Sequence, residues 1–338
     1  MKTLKFILAT TSLSLGAVVG AGFVSGSELV CFFGTENYLP YLIITGVIFA
    51  LSIFAVFSAA LKFNSSIELN EALFGRDKPV SVATLSSAFI FFTSMLAGLD
   101  ALWNLLGYLS GIPIFSILAL LAVSFFAKYG VEGLEKLNLF LMPVVLLIIN
   151  CSVFFGGNAD FSSNGRIEFG GVGRSLLYVC MNVFVSLPVL NASAVGKSKK
   201  ALFISAVAVA TIICVEAAVI LAAVKFAGTN AAMSEMPLLM ALGGEKFPFF
   251  LFVALLFGTV TSLASSYYPL YEFAKKKNGK TGVLILGILS FCASRLGLKA
   301  IVYYAYPVVG AFGAVYLARL LVFNLKRVLK FVRKAKKY

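Results

Sequence analysis

The sequence predicts an all-α polytopic membrane protein, and three observations carry that prediction. Its 338 residues are 60% hydrophobic and only 12% charged, with a mean hydropathy of +0.99. Soluble domains hold about 25% charged residues, because their surfaces face water. The apolar runs are long and numerous, and crossing the hydrocarbon takes about 20 apolar residues per helix. The alternation and frequent turns of an outer-membrane barrel are absent, which leaves helices to satisfy the backbone in lipid.

Ten apolar segments follow in order, at 6–33, 39–61, 80–107, 112–127, 137–155, 172–193, 199–225, 247–273, 281–297 and 299–323. Between the second and third, residues 62–78 (KFNSSIELNEALFGRDK) read as a loop or an interfacial helix. Residues 156–171, rich in Gly, Ser and Asn, divide the chain into halves at 6–155 and 172–323, with a basic tail at 324–338. The whole of 1–338 is expected to form one transmembrane domain.

The formal charge of +14 follows from topology. All but six of the 28 lysines and arginines fall on the side of the termini, the exceptions being Arg166, Arg174, Lys225, Lys246, Arg295 and Lys299. An even number of spans puts both termini on one side. The positive-inside rule makes that side the cytoplasm, here of a prokaryotic inner membrane. The basic tail suits anionic lipid better than nucleic acid. Lys2 and Lys5 ahead of an apolar run resemble a signal peptide, with Gly20-Ala21-Gly22 as a cleavage site. The run continues to Phe33, too far for a signal core, so a retained first helix is expected.

Several function classes drop out. The five cysteines, Cys31, Cys151, Cys180, Cys214 and Cys292, lie singly in apolar runs, with no disulfide or zinc spacing. There is no histidine, which removes imidazole catalysis. Phosphate-loop, nucleotide and nucleophile patterns are missing. No organic cofactor and no obligatory protein partner is indicated; the expected partners are the lipid bilayer and a small solute.

The chemistry concentrates in two stretches. Residues 16–28 (GAVVGAGFVSGSE) place Gly16, Gly20, Gly22 and Gly26 within eleven positions of the first span. Gly16/Gly20 and Gly22/Gly26 are GxxxG pairs suited to close packing. Packing alone does not need polar residues and a carboxylate beside them, whereas an unwound segment would expose amides and carbonyls to a ligand. In the eighth span, Gly258, Thr261, Ser262, Ser265 and Pro269 share one helical face. Hydroxyl residues there serve helix packing or, with carbonyls, a hard cation.

Together these stretches resemble the sodium-coupled LeuT-fold transporters of the amino acid–polyamine–organocation superfamily. The GxxVGxG pattern of Gly16, Val19, Gly20 and Gly22 is similar to that fold's broken first helix. Residues 257–262 (FGTVTS) are similar to its eighth helix, where a small residue and Thr-Ser complete a sodium site. The resemblance implies sodium held by carbonyls of Gly16, Val19 and Gly258 and hydroxyls of Thr261 and Ser262. The pattern GAGFxSGxE from Gly20 to Glu28 also resembles the YkvI-like branch of the superfamily. The fold implies a 5+5 inverted repeat in which the sixth span mirrors the first. An interruption is therefore expected near Asn182–Pro188. Some proton-coupled relatives project a lysine from the fifth helix; the segment 137–155 has no lysine or arginine, which favours sodium.

Glu28, Asp100 and Glu216 fall inside predicted spans, where charge is costly and marks a pathway, a partner or a proton site. Glu28 and Asp100 could instead approach the interface, and Glu216 could be a protonated group bonding two helices. No basic residue lies deep in a predicted span, so a solute amine, a cation or a proton must neutralise them. Pro143 and Pro307 are expected to kink their helices, and Trp103, Tyr267, Tyr268, Tyr303 and Tyr304 to line a pocket or form an interfacial belt.

The expected function is cation-coupled secondary transport, most simply with sodium, of a small amino acid or amine-like solute. The solute would meet Gly20, Gly22, Ser25, Gly26, Glu28, Asp100, Asn182 and Ser186. Glu28, Asp100 and Glu216 are proton-coupling candidates. Rival readings are a proton-coupled transporter, a non-transporting sensor that binds solute, a passive channel, and a membrane enzyme, the last lacking a nucleophile–base pair.

Overall fold

The computed structural model describes residues 2–63, 66–105, 113–126, 129–156, 159–163, 165–194, 196–243 and 249–335. Lys246 and the end of the basic tail at 336–338 lie outside the described residues.

The chain is all helical among the described residues. The first apolar segment forms three pieces: α1 (Lys2–Val18), α2 (Ala21–Val24) and α3 (Ser27–Phe33). α4 (Tyr38–Ala60) follows, then α5 (Ser66–Phe74), a short helix in the polar 62–78 stretch. The first half closes with α6 (Lys78–Leu105), α7 (Ile114–Phe126) and α8 (Gly130–Gly156). The second half holds α9 (Phe169–Ala194), α10 (Lys199–Ala227), α11 (Thr229–Met233), α12 (Pro237–Gly243) and α13 (Phe249–Ser294). It ends with α14 (Leu298–Ala300), a π-helical turn at Ile301–Ala305 and α15 (Tyr306–Ala335).

At about 1.5 Å per residue, α13 would be roughly 69 Å long, more than twice the hydrocarbon thickness. It is two helices joined at Gly279, whose φ of 58° and ψ of −139° no helix adopts. Among the described residues seven helices are long and apolar enough to cross a membrane, and Thr3–Val18, Ile114–Ser124 and Gly279–Ser294 are shorter apolar helices. Side-chain burial agrees with a lipid surround. On α4, Ile43, Val47 and Leu51 form an exposed apolar stripe one turn apart, while Leu42, Thr45, Phe49 and Ile53 are buried.

The broken first segment lies at the centre. α1 packs on α8, α9, α10 and α13; α2 packs on α6 and α13; α3 packs on α9 and α10. Close approach explains the small residues. A Cβ on Gly98 of α6 would stand 2.5 Å from Cβ of Ala21, and one on Gly258 of α13 would stand 2.9 Å from Val24.

Two expectations need correction. The sixth apolar segment is one continuous helix, α9, with Pro188 inside it and no gap at 182–188. Without a glycine cluster, its backbone has no inducement to unwind. The fifth begins at Gly130 rather than 137, so its helix includes Lys136. Lys136 is exposed, whereas Leu134, Asn138, Met142, Val145, Ile149 and Val153 form the buried face of α8.

Candidate functional site

The backbone between α1 and α2 does not follow the helical pattern, and the displaced partners define the site. In an unbroken helix the carbonyl of Gly16 accepts from the amide of Gly20, and that of Ala17 from Ala21. Here Gly20 N–H donates instead to Val18 O at 3.0 Å, and Ala21 N–H points at the sulfur of Met95 at 3.1 Å. The released carbonyls are taken by other helices. Ser262 Oγ of α13 donates to Gly16 O at 2.7 Å, and Ser186 Oγ of α9 to Ala17 O at 3.5 Å. A second discontinuity follows at Gly26, whose φ of 83° lies in the left-handed region that glycine adopts without strain.

Thr261, beside Ser262, donates its hydroxyl to Gly258 O at 2.8 Å. Thr261 and Ser262 are buried, as is Val19, which sits at the break itself. Gly20 is held against the same cluster: a Cβ there would lie 3.2 Å from Cβ of Ser262. Four of the five expected cation ligands, Gly16, Gly258, Thr261 and Ser262, are thus linked by two hydrogen bonds, with Val19 in the adjoining turn. Each hydroxyl donates to a carbonyl of the group. To ligate a cation, the same hydroxyl turns its proton outward and presents a lone pair beside that carbonyl. The donor set is all oxygen, which fits a hard monovalent or divalent ion and offers nothing to a soft one.

The carboxylate of Glu28 sits on the other side of the break. Glu28 is 1% exposed, and Asn182 Nδ2 of α9 donates to its Oε1 at 3.2 Å. Among the described residues its Oε2 has no hydrogen-bond partner, and it lies 3.0 Å from where a Cβ on Gly22 would stand. Tyr178 and Ser186 share with Asn182 the α9 face turned to the broken span. Tyr178 meets Phe32 and Phe33 edge-on, at ring separations of 5.4 and 5.0 Å. Ser25 and Ser27 hydroxyls are 3.1 Å apart, and the carbonyl of Ser25 accepts from Leu238 N–H at the start of α12. Close by, Ser94 of α6 and Tyr306 of α15 are joined by their hydroxyls at 2.6 Å.

Of the residues expected to meet a solute, the structure gathers Gly20, Gly22, Ser25, Gly26, Glu28, Asn182 and Ser186 around one break. Asp100 is engaged elsewhere. It forms an ion pair with Arg295, on the turn between α13 and α14. This corrects the expectation that no basic residue neutralises the intramembrane acids. Arg295 is expected near the end of the ninth segment, on the side away from the termini; its guanidinium reaches back along Phe291, 4.7 Å from the ring centre, to Asp100. Glu216 of α10 is also apart from the break. Asn150 Nδ2 of α8 donates to its Oε1 at 2.6 Å, a bond between two helices.

Sequence reasoning missed Met95, Asn138, Tyr178, Ser94 and Tyr306. A signal existed only for Asn138, the one polar side chain in the buried α8 stripe that runs from Leu134 to Val153. Of the expected aromatics, Tyr267 is buried and bonded to Ser124 at 3.0 Å, whereas Tyr303 and Tyr304 are exposed.

No family model matches the chain. Over 342 residues it is 25% identical to the uncharacterized protein YyaD of Bacillus subtilis (strain 168), covering 93% of this chain and 95% of that protein. Among solved structures it is similar to MhsT in complex with L-phenylalanine, with a TM-score of 0.66 at 13% identity, over 97% of this chain and 98% of that one. It is also similar to Mhp1, a nucleobase-cation-symport-1 family transporter, in a closed conformation with bromovinylhydantoin bound (TM-score 0.58, 16% identity, 88% and 74% coverage). The inward-facing conformation of Mhp1 gives a TM-score of 0.61 at 16% identity, over 94% and 76% of the two chains. These likenesses establish the LeuT fold, and with the apolar helices they make the chain an integral membrane protein.

Proposed function

We propose that this chain is a cation-coupled secondary transporter, using sodium, that carries a small amino acid or amine-like solute by alternating access. It is not an enzyme in this reading. One observation carries the proposal: the hydroxyl of Ser262 on the Gly16 carbonyl at 2.7 Å, across the break in the first span, beside Thr261 and Gly258 O. Carbonyls of Gly16, Val19 and Gly258 and hydroxyls of Thr261 and Ser262 would hold the ion. A bound sodium supplies a positive charge that links the first and eighth spans, so its binding free energy biases which face is open.

The solute is assigned to the neighbouring gap. An amino-acid carboxylate would find Ala21 N–H, whose present acceptor is only a thioether sulfur, a weak one. An amine would find the unpartnered Oε2 of Glu28. MhsT is described with L-phenylalanine and Mhp1 with a hydantoin, both small amphiphiles, which supports a solute of that size. Asp100, already paired, takes a supporting part. Ten spans in a 5+5 inverted repeat, with both termini in the cytoplasm of a prokaryotic inner membrane, complete the reading. The Gly20–Glu28 pattern supports a place in the YkvI-like branch.

Proton coupling is a second reading, favoured by one specific observation. Glu28 and Glu216 are both buried, and each keeps one carboxylate oxygen without a partner among the described residues. Uptake of a mixed radiolabelled panel of amino acids and amines into proteoliposomes, with sodium and proton gradients imposed separately, tests both. Sodium-driven accumulation lost in Thr261→Ala and Ser262→Ala is expected. Accumulation indifferent to sodium and to both substitutions would sink the sodium reading. Solute binding without accumulation under either gradient would make the chain a sensor.

A further inference from the structure

α8 is the third wall of the Gly16–Thr261–Ser262 cluster, and it presents one oxygen that no hydrogen bond uses. Three residues of its buried face, at i, i+4 and i+7, each meet one member of the cluster. Asn138 lies against Gly16, where an added Cβ would come within 1.7 Å of Oδ1. Met142 Sδ stands 3.6 Å from Thr261 Oγ1, and Val145 Cγ1 is 3.5 Å from the Cβ position of Gly258.

The orientation of the Asn138 amide follows from its own bonding. Nδ2 donates to Leu134 O, one turn back on α8, at 2.9 Å. The amide nitrogen is thereby committed to the helix, and the oxygen is the end aimed at Gly16. Asn138 is 0% exposed, and its Oδ1 has no hydrogen-bond partner among the described residues. A buried amide oxygen left bare keeps an uncompensated desolvation cost, so its retention at this spot asks for a reason. Of the three α8 residues, valine has nothing to donate and a thioether is too soft for a hard ion. Only Asn138 brings an oxygen.

We infer that Asn138 is a further cation ligand, its Oδ1 joining the carbonyls and hydroxyls of the first and eighth spans so that the ion ties three helices rather than two. The inference rests on the sodium reading above. It also assigns the α8 position a chemical consequence: a neutral amide cannot carry a proton across the physiological range, so this wall coordinates a metal ion and does not relay protons. The exposed Lys136, two residues earlier, points elsewhere and leaves the amide in sole possession of that face.

The test is sodium binding to the purified full-length protein in detergent. It is read as the shift in melting temperature against sodium concentration, with potassium chloride holding ionic strength, and as equilibrium binding of radioactive sodium. Losing one oxygen ligand to a charge corresponds to a tenfold or larger change in half-saturation. Asn138→Ala and Asn138→Leu are therefore expected to raise the half-saturating sodium concentration about tenfold or more. Asn138→Asp, the same shape with a charged oxygen, is expected to keep or strengthen binding and remains measurable if the other two do not fold. Unchanged half-saturation in the alanine or leucine variant would overturn the inference, as would aspartate abolishing the response. Ser262→Ala separates the two levels. If it abolishes the sodium response while Asn138→Leu does not, only the α8 ligand is wrong. If the wild-type chain shows no sodium response, the sodium reading itself fails.

Discussion

Ser262 Oγ donates to the carbonyl of Gly16 at 2.7 Å, joining residues 246 positions apart. The bond exists because the first span stops being helical at Val18 and frees that carbonyl from its own chain. The contact is thus made by a failure of local structure that a distant helix repairs, and the cost of the failure identifies the residues that can be probed.

Gly16→Ala is expected to destabilise the protein by roughly 1–3 kcal/mol or more, although alanine favours helix. Its Cβ would collide with Asn138 at 1.7 Å from Oδ1 and 2.3 Å from Cγ. Combining it with Asn138→Ala should recover most of the loss, because the colliding group is gone. Thermal unfolding of the two single variants and the double variant in detergent measures the non-additivity; additive losses would show that the contact is absent.

Gly20→Ala should behave differently. Its Cβ meets the end of Met95, at 2.7 Å from both Sδ and Cε, which a flexible side chain can vacate. Stability is expected to change by no more than about 1 kcal/mol, while solute affinity changes because Met95 leaves the Ala21 amide. Paired melting and solute-binding measurements check that separation.

Glu28→Gln keeps an acceptor for Asn182 and the shape of the side chain but removes the charge. Yield and melting temperature should be close to wild type, with amine-bearing solutes bound at least about tenfold more weakly, the scale of one lost charge-assisted bond. Equal affinity for all solutes would reduce Glu28 to a packing group.

The Asp100–Arg295 pair predicts an asymmetry. Arg295 is partly exposed and retains Ser294 and the Phe291 ring when its partner is neutralised, whereas Asp100 is the more buried member. Arg295→Met should therefore cost more stability than Asp100→Asn, by about 1–2 kcal/mol, because it strands the buried charge. Melting curves of the two variants decide the order, and the exchange Asp100→Arg with Arg295→Asp should restore part of the loss.

Lys197, on the short link between α9 and α10, donates to Thr10 of α1 at 2.7 Å. Burial lowers its pKa below the ordinary 10.5, an effect that Glu135 partly offsets. Between the folded value and 10.5 the unfolded chain holds more protons than the folded one. Stability therefore rises with pH through that window, and below it the burial cost is felt in full. Amine-directed labelling followed by mass spectrometry should show Lys197 reaching half-maximal reactivity at a lower pH than lysine in a free peptide. A midpoint at or above the ordinary value would contradict the burial.

The sequence by itself determined the class of this protein. Long apolar runs, scarce charge and the glycine-rich 16–26 stretch need no neighbours to be read, because lipid solvation and helix propensity act locally. Thus α5 was legible in 62–78, and the polar residues of the first and eighth spans stood out as candidates for one site. What only the tertiary structure decided is which polar atoms face one another. Arg295 reads as an unpaired charge at a segment end until the helices place it beside Asp100. Asn182–Pro188, a breakpoint only by the fold resemblance, stays helical within α9. Asn138 is an ordinary asparagine until Gly16 comes to rest on its oxygen. Propensity acts over a few residues, whereas the contacts of Gly16 with Ser262 and Asn138 join helices far apart in the chain, and their register is set by packing alone.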